Sequence, residues 1–336
     1  MVKYILKRLL MLIPTLLGIS LIVLVIIDLT PGDPARMLLG TTATEEKVEE
    51  LREELGLNDP FLVRFWRFIS GVAQGDFGTS IMTKRPVFNE MVSRFGYTLV
   101  LVTFGTIFSV LCGIPIGIYA ATHTHTWKDS TAIFLSLIAV SMPSFWFALL
   151  LIRFFGVTLH WLPISGVESW TGWILPCVAM ALGLMALIAR QMRSDVLEVL
   201  RQDYITTARS KGLSERTVVY RHALKNAVIP VIMVVGGVFG VSLGGSLVTE
   251  VIFSIPGLGQ YIMTGLNNRD YPVIQSGILI ISGLFAVIIL IVDIVFAMVD
   301  PRIRSQYSRR RKKEGGKHDD RDKTDANKAE KTVATA

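Results

Sequence analysis

Six long stretches without a charged residue constrain the fold of this sequence more than any other feature. They are Leu9 to Ile27, Phe95 to Thr122, Ser130 to Ile152, Ser169 to Ala189, Asn226 to Thr249 and Tyr271 to Val292. A helix needs roughly 20 apolar residues to cross about 30 Å of hydrocarbon, and only a helix or a closed barrel satisfies its own backbone hydrogen bonds there. We therefore predict an all-α polytopic membrane protein with six transmembrane helices.

The overall composition agrees with a lipid bilayer as part of the solvent. Hydrophobic residues make up 51% of the 336-residue chain and charged residues only 18%, which one water-soluble core could not accommodate. The formal charge of +7 does not predict nucleic-acid binding, because the basic residues are scattered between the apolar stretches and gathered near the C-terminus. Cys112 and Cys177 lie within apolar stretches and are interpreted as packing residues.

The distribution of Lys and Arg predicts the orientation of the spans. The segment between spans four and five carries eight basic residues: Arg190, Arg193, Arg201, Arg209, Lys211, Arg216, Arg221 and Lys225. The loops after spans three and five carry one each, Arg153 and Arg269. Because basic loops remain on the cytoplasmic side, both termini are predicted to be cytoplasmic in a multi-pass protein of the inner or plasma membrane.

The sequence divides into four parts. They are an N-terminal transmembrane helix (1–29), an extracytoplasmic scoop-like segment (30–94), a five-helix core (95–304) and a cytoplasmic tail (305–336). The first span is interpreted as retained, since its apolar core is longer than that of a signal peptide and no cleavage site follows. The tail has almost no large apolar residue, so it is predicted to be disordered.

Two shorter stretches outside the spans have helical character. Phe61 to Val72 is amphipathic, and it is expected either to lie at the membrane interface or to pack against other helices. Glu250 to Asp270 is interrupted by Pro256, Gly257 and Gly259, which is unsuited to a straight span. A re-entrant or surface helix on the outer side is predicted there.

The loop between spans four and five, residues 190–225, is neither a short connector nor disordered. Leu197, Leu200, Tyr204 and Ala208 recur at helical spacing, and Gly212 follows as a glycine does at the C′ position of a helix. Ser214 can cap a second helix that leads into span five. The predicted arrangement of helix, tight turn and helix presents a surface.

The predicted exposed face of this loop carries small and basic side chains. It contains Arg209, Lys211 and Arg216 beside Ala208, Ser210 and Gly212. Small residues permit close approach of another protein, whereas a solvated basic loop is the alternative interpretation.

Two other motifs have a structural interpretation beside a functional one, and one further class of transporter can be considered. Ser242 lies in a GxSxG pattern, but within an apolar helix, where Gly236, Gly240 and Gly244 favour helix packing over a hydrolase nucleophile. His123 and His125 lack a complete set of metal ligands nearby, and a solvated loop is expected instead of a metal site. An ion-coupled secondary transporter would carry paired carboxylates at mid-membrane depth, and the six stretches contain none.

Several segments in order carry a resemblance to a known family. The stretch TTARSKGLSERTVVYRHALKNAVIP, residues 206–230, resembles the cytoplasmic EAA loop of ABC importer permeases in the form found in dipeptide and oligopeptide permeases. Further segments resemble the same family, namely TPGDPA, GDFGTSI, SMPSFWFALLLI, WLPISG, FSIPGLGQY, RDYPVIQ and VDPRIR. The resemblance covers residues 1–304, and the tail lies outside it.

The resemblance implies a fold, a role and a set of partners. It implies a type I ABC importer permease fold and a subunit that forms half of a translocation pathway for di- or oligopeptides, with no cofactor and no catalytic or metal site of its own. It also implies two cytoplasmic ABC ATPases, a homologous second permease, an extracytoplasmic peptide-binding protein and membrane lipid as partners. The alternatives within this class are a nickel chelate or glutathione as cargo.

The resemblance also assigns a coupling surface to the loop. In this family the loop helix docks on the ATPase, and the chain itself lacks a GxxxxGK[ST] phosphate-binding motif. The implied ATPase-coupling residues are Thr207, Ala208, Arg209, Ser210, Lys211, Gly212 and Leu213.

Overall fold

The structure is a computed structural model that describes residues 2–40 and 43–299. Its helices in chain order are α1 (Val2–Leu29), α2 (Pro34–Leu39), α3 (Glu45–Glu54), α4 (Phe61–Ala73), α5 (Val87–Thr122), α6 (Trp127–Ser141), α7 (Ser144–Leu151), α8 (Ile174–Leu200), α9 (Asp203–Ser210), α10 (Glu215–Thr217), α11 (Leu224–Ile252), α12 (Leu258–Asn267) and α13 (Tyr271–Val299). Within these ranges the pair Thr79 and Pro86 forms an isolated antiparallel bridge, and no longer strand occurs. The predicted disordered tail, 305–336, lies outside the described residues.

The spans agree with the apolar stretches at five positions. Helices α1, α5, α8, α11 and α13 are each long and apolar enough to cross a membrane. The third apolar stretch, Ser130 to Ile152, is not one straight helix, because α6 and α7 with its continuation to Thr158 meet at an angle of 100°. The described chain therefore has five such helices, or six spans if the bent pair counts as one.

Pro143 explains the bend in the third span. A proline has no N–H to continue the helix, and its ring disfavours helical geometry at the preceding residue. Met142 accordingly leaves the helix in an extended conformation with φ −79° and ψ 122°, and Pro143 precedes the first residue of α7. After α7 the chain continues as a π-helical stretch over Ile152–Thr158.

A ladder of small residues on α5 forms the closest contact between two of the membrane-spanning helices. Gly105, Ser109, Gly113 and Gly117 follow one another at intervals of four residues and face α8. A Cβ on Gly117 would lie 2.5 Å from the carbonyl oxygen of Ala189, and one on Gly113 would lie 2.8 Å from that of Met185. Such short approaches to backbone atoms leave no room for any side chain, so α5 and α8 are held together along this ladder.

Gly117→Ala is expected to lower the stability of the permease by about 1–3 kcal/mol, because the added methyl group overpacks a contact with backbone that cannot move aside. Gly96→Ala is the matched control on the same helix, since its Cβ would meet nothing within 4 Å. Thermal unfolding of the purified permease, followed by reaction of the buried Cys177 thiol in a Cys112→Ser background, measures the difference. Equal unfolding temperatures for the two variants would contradict the tight contact.

The glycines on α11 have different surroundings. A Cβ on Gly240 would lie 2.9 Å from Ile289 Cδ1, so this glycine does allow α13 to approach. Gly244 has nothing within 4 Å. The packing interpretation is therefore confirmed at Gly240, and no other helix of the described chain approaches Gly244.

The two shorter helical predictions outside the spans are confirmed as helices. The amphipathic stretch forms α4, and the segment between Glu250 and Asp270 contains α12. Buried residues of α5, α12 and α13, among them Val87, Leu258 and Val273, form one apolar cluster. This cluster fixes α12 against the start of α5.

Candidate functional site

The 190–225 loop differs from the predicted single helix before the turn. Helix α8 ends at Leu200, and Gln202 is extended (φ −76°, ψ 149°) before α9 begins at Asp203. The apolar stripe from Leu197 to Ala208 is thus divided between two helices. The physical reason is burial, because the break turns Ile205 and Ala208 towards Val218 and Ala223, with which they form a small apolar cluster.

The tight turn after α9 has the predicted glycine conformation. Gly212 has φ +77°, in the left-handed region that glycine adopts without strain. Its N–H donates to the carbonyl oxygen of Arg209 (2.9 Å), and the N–H of Lys211 donates to that of Thr207 (3.2 Å). A Cβ on Gly212 would meet no heavy atom within 4 Å, so the space around the turn is open.

An ion pair spans the turn. Arg209 Nε and Nη2 donate to the two carboxylate oxygens of Glu215 at 2.7 and 3.2 Å. This hydrogen bonding to Glu215 raises the pKa of Arg209, so the guanidinium stays charged. The exposed side chain of Arg209 therefore has an ion-pair partner within the loop.

The predicted coupling residues separate into an outer and an inner group. Thr207, Arg209, Ser210, Lys211, Gly212 and Leu213 are exposed. Ala208 is only 7% exposed and belongs to the apolar cluster, so its predicted place on the exposed face is wrong. Residues three apart in a helix lie on the same face, so Ala208 shares the buried side of Ile205.

An open groove of about 1180 Å³ lies beside the turn, between the ends of α5 and α8. Tyr119, Leu200 and Tyr220 contribute apolar surface to it, and Arg209 and Arg216 lie at its charged side. The turn and the groove together form one continuous surface of mixed character.

Ser214 occupies the predicted position before the second helix of the loop. Its backbone is extended (φ −63°, ψ 144°), but its hydroxyl lies 3.0 Å from that of Thr217 and caps no backbone N–H. Helix α10 is only three residues long and continues through a π-helical turn, Val218–Ala223, into α11. The cap prediction is therefore right in position and wrong in bonding.

Glu250 is a functional candidate that the sequence analysis missed. It lies one residue beyond the fifth apolar stretch, and its side chain is fully buried. The hydroxyls of Thr98 on α5 and Ser246 on α11 donate to its Oε1 at 2.8 and 3.0 Å. The N–H of Gln260 donates to its Oε2 at 3.1 Å.

These bonds cap α12 with side chains from two other helices. Gly257 at the N-cap has no side chain, while the N–H groups of the first turn need acceptors. The hydroxyl of Thr98 accepts the N–H of Leu258 at 2.9 Å, and Glu250 accepts that of Gln260. The negative charge also lies at the positive end of the α12 dipole. We call Thr98, Ser246, Glu250 and the first turn of α12 the corner network.

Asp270, at the other end of α12, is a second buried carboxylate. Its oxygens accept the Ser80 hydroxyl at 2.5 Å and the N–H groups of Ile81 and Met82 at 3.1 and 3.3 Å. It is only 2% exposed. Asp270 therefore fastens the end of the 30–94 segment to the corner between α12 and α13.

The serine of the GxSxG pattern and the aspartate near the two histidines both have hydrogen-bond partners. The hydroxyl of Ser242 donates to the carbonyl oxygen of Val238 at 2.8 Å, one turn back in the same helix. Asp129 accepts Arg193 Nε and Nη2 at 2.6 and 2.7 Å, so its carboxylate forms an ion pair with a guanidinium on α8. In the part of the chain that the structure describes, no three His, Cys, Asp or Glu residues lie close enough to hold a metal ion.

Comparison with known families accounts for almost the whole described chain. Residues 113–305 match the family described as binding-protein-dependent transport system inner membrane component. Residues 1–102 match the N-terminal model of the same kind of membrane component.

Relatives of similar length match along nearly their full extent. A protein of Salmonella paratyphi A named "Glutathione transport system permease protein GsiC" is 45% identical over 304 residues, which are 90% of this chain and 99% of the relative. The protein of that name from Escherichia coli K12 is 43% identical over the same coverage.

Solved structures share the fold at low sequence identity. The inward-facing MetNI methionine ABC transporter matches with a TM-score of 0.55 and 19% identity, over 63% of this chain and 96% of that one. An amino acid ABC transporter matches with a TM-score of 0.50 and 18% identity, over 64% and 94%. Both support the type I importer permease fold. The chain therefore belongs to the family of binding-protein-dependent transport system inner membrane components, as the membrane-spanning permease subunit of an ABC importer and not itself an enzyme.

Proposed function

We propose that the cargo of this permease is a short peptide, with glutathione as the first candidate. The observation that carries this is the identity of 45% over nearly the full length of a glutathione permease. Glutathione is itself a tripeptide, so this cargo lies within the peptide class that the sequence motifs imply. A nickel chelate is the less favoured alternative.

Uptake by the complete transporter in proteoliposomes tests the cargo. We expect ATP-dependent, saturable uptake of radiolabelled glutathione, reduced by an excess of unlabelled di- or tripeptide. A nickel–histidine chelate serves as the control competitor. Inhibition by the chelate alone, with no uptake of any peptide, would contradict a peptide cargo.

The family implies an ATPase, a substrate-binding protein and a second permease as partners. We propose the finer composition of two cytoplasmic ATPases, a homologous but different second permease and an extracytoplasmic peptide-binding protein. A second permease is required on physical grounds, because a half with five or six spans cannot readily enclose a path wide enough for a peptide.

The proposed coupling surface is the turn from Thr207 to Leu213. Lys211, Gly212 and Leu213 are exposed at its tip and would contact the ATPase. Arg209 would act indirectly, since its ion pair with Glu215 sets the shape of the turn. Ala208 would hold α9 in place through the apolar cluster of the loop.

The proposed orientation places this turn and both termini in the cytoplasm and the 30–94 segment outside. Single cysteines at Glu46 and Ser214, both exposed, test it in a background with Cys112 and Cys177 replaced by alanine. We expect a membrane-impermeant maleimide to label position 46 from the outside of intact cells and position 214 only in inside-out vesicles. Labelling of both positions from one side would contradict this topology.

A further inference from the structure

Helix α4 has apolar residues on the side that faces away from the rest of the chain. Phe65 is buried, and Phe68 and Val72 are half-buried on the same side. On the opposite side Leu62, Val63 and Trp66 are 63%, 46% and 60% exposed. A helix that is apolar on both sides is stable only if a second apolar environment covers the outer face.

An ion pair fixes the level of α4 relative to the membrane. Arg64 Nη2 donates to Asp28 Oδ1 at 2.7 Å. Asp28 directly follows the first apolar stretch, which ends at Ile27. Because the stretch fills the hydrocarbon region, Asp28 marks the level at which α1 leaves it. The beginning of α4 therefore lies at the boundary between hydrocarbon and headgroups.

The neighbouring face of α1 identifies what covers the outer face of α4. Val23 and Ile27 of α1 pack against Ile274 at the start of α13. The other side of α1 exposes Ile22 and Ile26 by 58% and 57%. On a transmembrane helix such side chains face lipid, and α4 begins where this lipid-facing surface ends.

The charges around α4 are arranged as at a membrane interface. Arg67 forms an ion pair with Asp59 (2.6 Å) at one edge of the outer face. The residues of the outer face, Leu62, Val63 and Trp66, and the neighbouring Ser70 and Ala73 are uncharged. Tryptophan is enriched at membrane–water interfaces, where its apolar ring and its N–H are both accommodated.

We infer that α4 is an interfacial helix whose outer face, Leu62, Val63 and Trp66, lies in the boundary between the headgroups and acyl chains of the bilayer. The helix then holds the 30–94 segment at a fixed height on the membrane, through Arg64 and Asp28. This location is independent of the cargo and of the coupling loop.

Nitroxide accessibility tests the location directly. Spin labels are placed singly at Leu62, Trp66 and Ser70, with Cys112 and Cys177 replaced by alanine, in the complete transporter in nanodiscs of phosphatidylethanolamine and phosphatidylglycerol. Position Glu53, exposed on α3, is the control. Ser70 lies on the same face of α4 as Trp66. Because serine is polar, a label at this position replaces no apolar side chain.

We expect oxygen to relax the labels at 62 and 66 more than the water-soluble Ni-EDDA does, at a depth of about 5–10 Å below the headgroup level. The reverse ratio is expected at 53. Relaxation at 62, 66 and 70 mainly by Ni-EDDA would show a face in water. Protection from both reagents would show a face covered by the second permease or the binding protein, and either result would overturn the inference.

A substitution series gives a second readout. Trp66→Glu is expected to shift the label at Ser70 towards Ni-EDDA accessibility, because a carboxylate is driven from the interface, whereas Trp66→Phe should leave it unchanged. An equal effect of both substitutions would contradict a lipid contact at this side chain.

Discussion

Glu250→Ala is expected to lower the stability of the permease by about 3 kcal/mol and to reduce uptake strongly. The change leaves the buried Thr98 hydroxyl and the N–H of Gln260 without their acceptor, while the Ser246 hydroxyl can still donate to the carbonyl oxygen of Leu243 at 3.0 Å. Each buried polar group without a partner costs about 1–3 kcal/mol. Thermal unfolding and ATP-driven uptake in matched membrane preparations measure the two effects.

Glu250→Gln separates hydrogen bonding from charge. Its amide oxygen can still accept from Thr98 and Ser246, but its NH₂ group would face the N–H of Gln260. We therefore expect a loss smaller than that of the alanine variant. Glu46→Ala, an exposed glutamate on α3, is the control and should change little. A Glu250→Ala permease as stable as this control would contradict the corner network.

A double-mutant cycle tests whether the corner network acts as a unit. Thr98→Val removes both the donor to Glu250 and the acceptor for Leu258 N–H. Because the two residues share partners, Thr98→Val combined with Glu250→Ala should cost clearly less than the sum of the two single changes. Strict additivity would show two independent sites.

The sequence predicts the spans well, because lipid burial requires an uninterrupted apolar stretch whatever its neighbours are. The bend at Pro143 could also have been predicted. Proline before a helix and an extended residue before proline are local effects, and the stretch is long enough to contain two helices. What the sequence does not contain is the angle of 100° between them, which depends on packing.

Helix contacts were only partly predictable. The GxSxG region drew attention to α11, yet the closest approach between two membrane-spanning helices lies on α5, where the interval of four from Gly105 to Gly117 is equally visible in the sequence. Both helices carry small residues at helical spacing. Which of them meets a partner helix closely is decided by long-range packing, which one sequence does not specify.

The two buried carboxylates show why the sequence alone could not identify these candidate sites. Glu250 bonds to Thr98, 152 residues away, and Asp270 bonds to Ser80, 190 residues away. No local pattern pairs such residues. A lone acidic residue beside Gly257 and Gly259 was nevertheless a usable signal, because a Cβ on Gly259 would lie only 3.1 Å from Glu250 Oε2. These glycines make room for a carboxylate as well as ending a span.

Gly212→Val is expected to uncouple the permease from its ATPase without unfolding it. At φ +77° any Cβ costs about 1 kcal/mol or more locally, and a branched side chain also blocks close approach of a partner. The spans are secured by lipid burial far from the turn, so the level of permease in the membrane should be normal. We expect ATPase retention after washing and stimulated ATP hydrolysis to fall about tenfold, which corresponds to ~1.4 kcal/mol.

Two further variants identify the cause of the loss. Gly75→Val is the matched control, because Gly75 has φ +85° and no heavy atom within 4 Å of a Cβ, but lies in the 30–94 segment. The Gly75→Val permease should have the same backbone strain but should still retain the ATPase. Gly212→Asn tolerates the left-handed conformation, so it preserves the turn while adding a side chain.

The outcomes for Gly212 are distinct. If steric approach governs coupling, Gly212→Asn should lose the ATPase as Gly212→Val does, and if the shape of the turn governs it, the asparagine variant should retain most of the coupling. Normal ATPase retention, stimulated hydrolysis and uptake in Gly212→Val, at a normal permease level, would rule out the turn as the coupling contact. The same losses in Gly75→Val would attribute them to backbone strain in general and not to this surface.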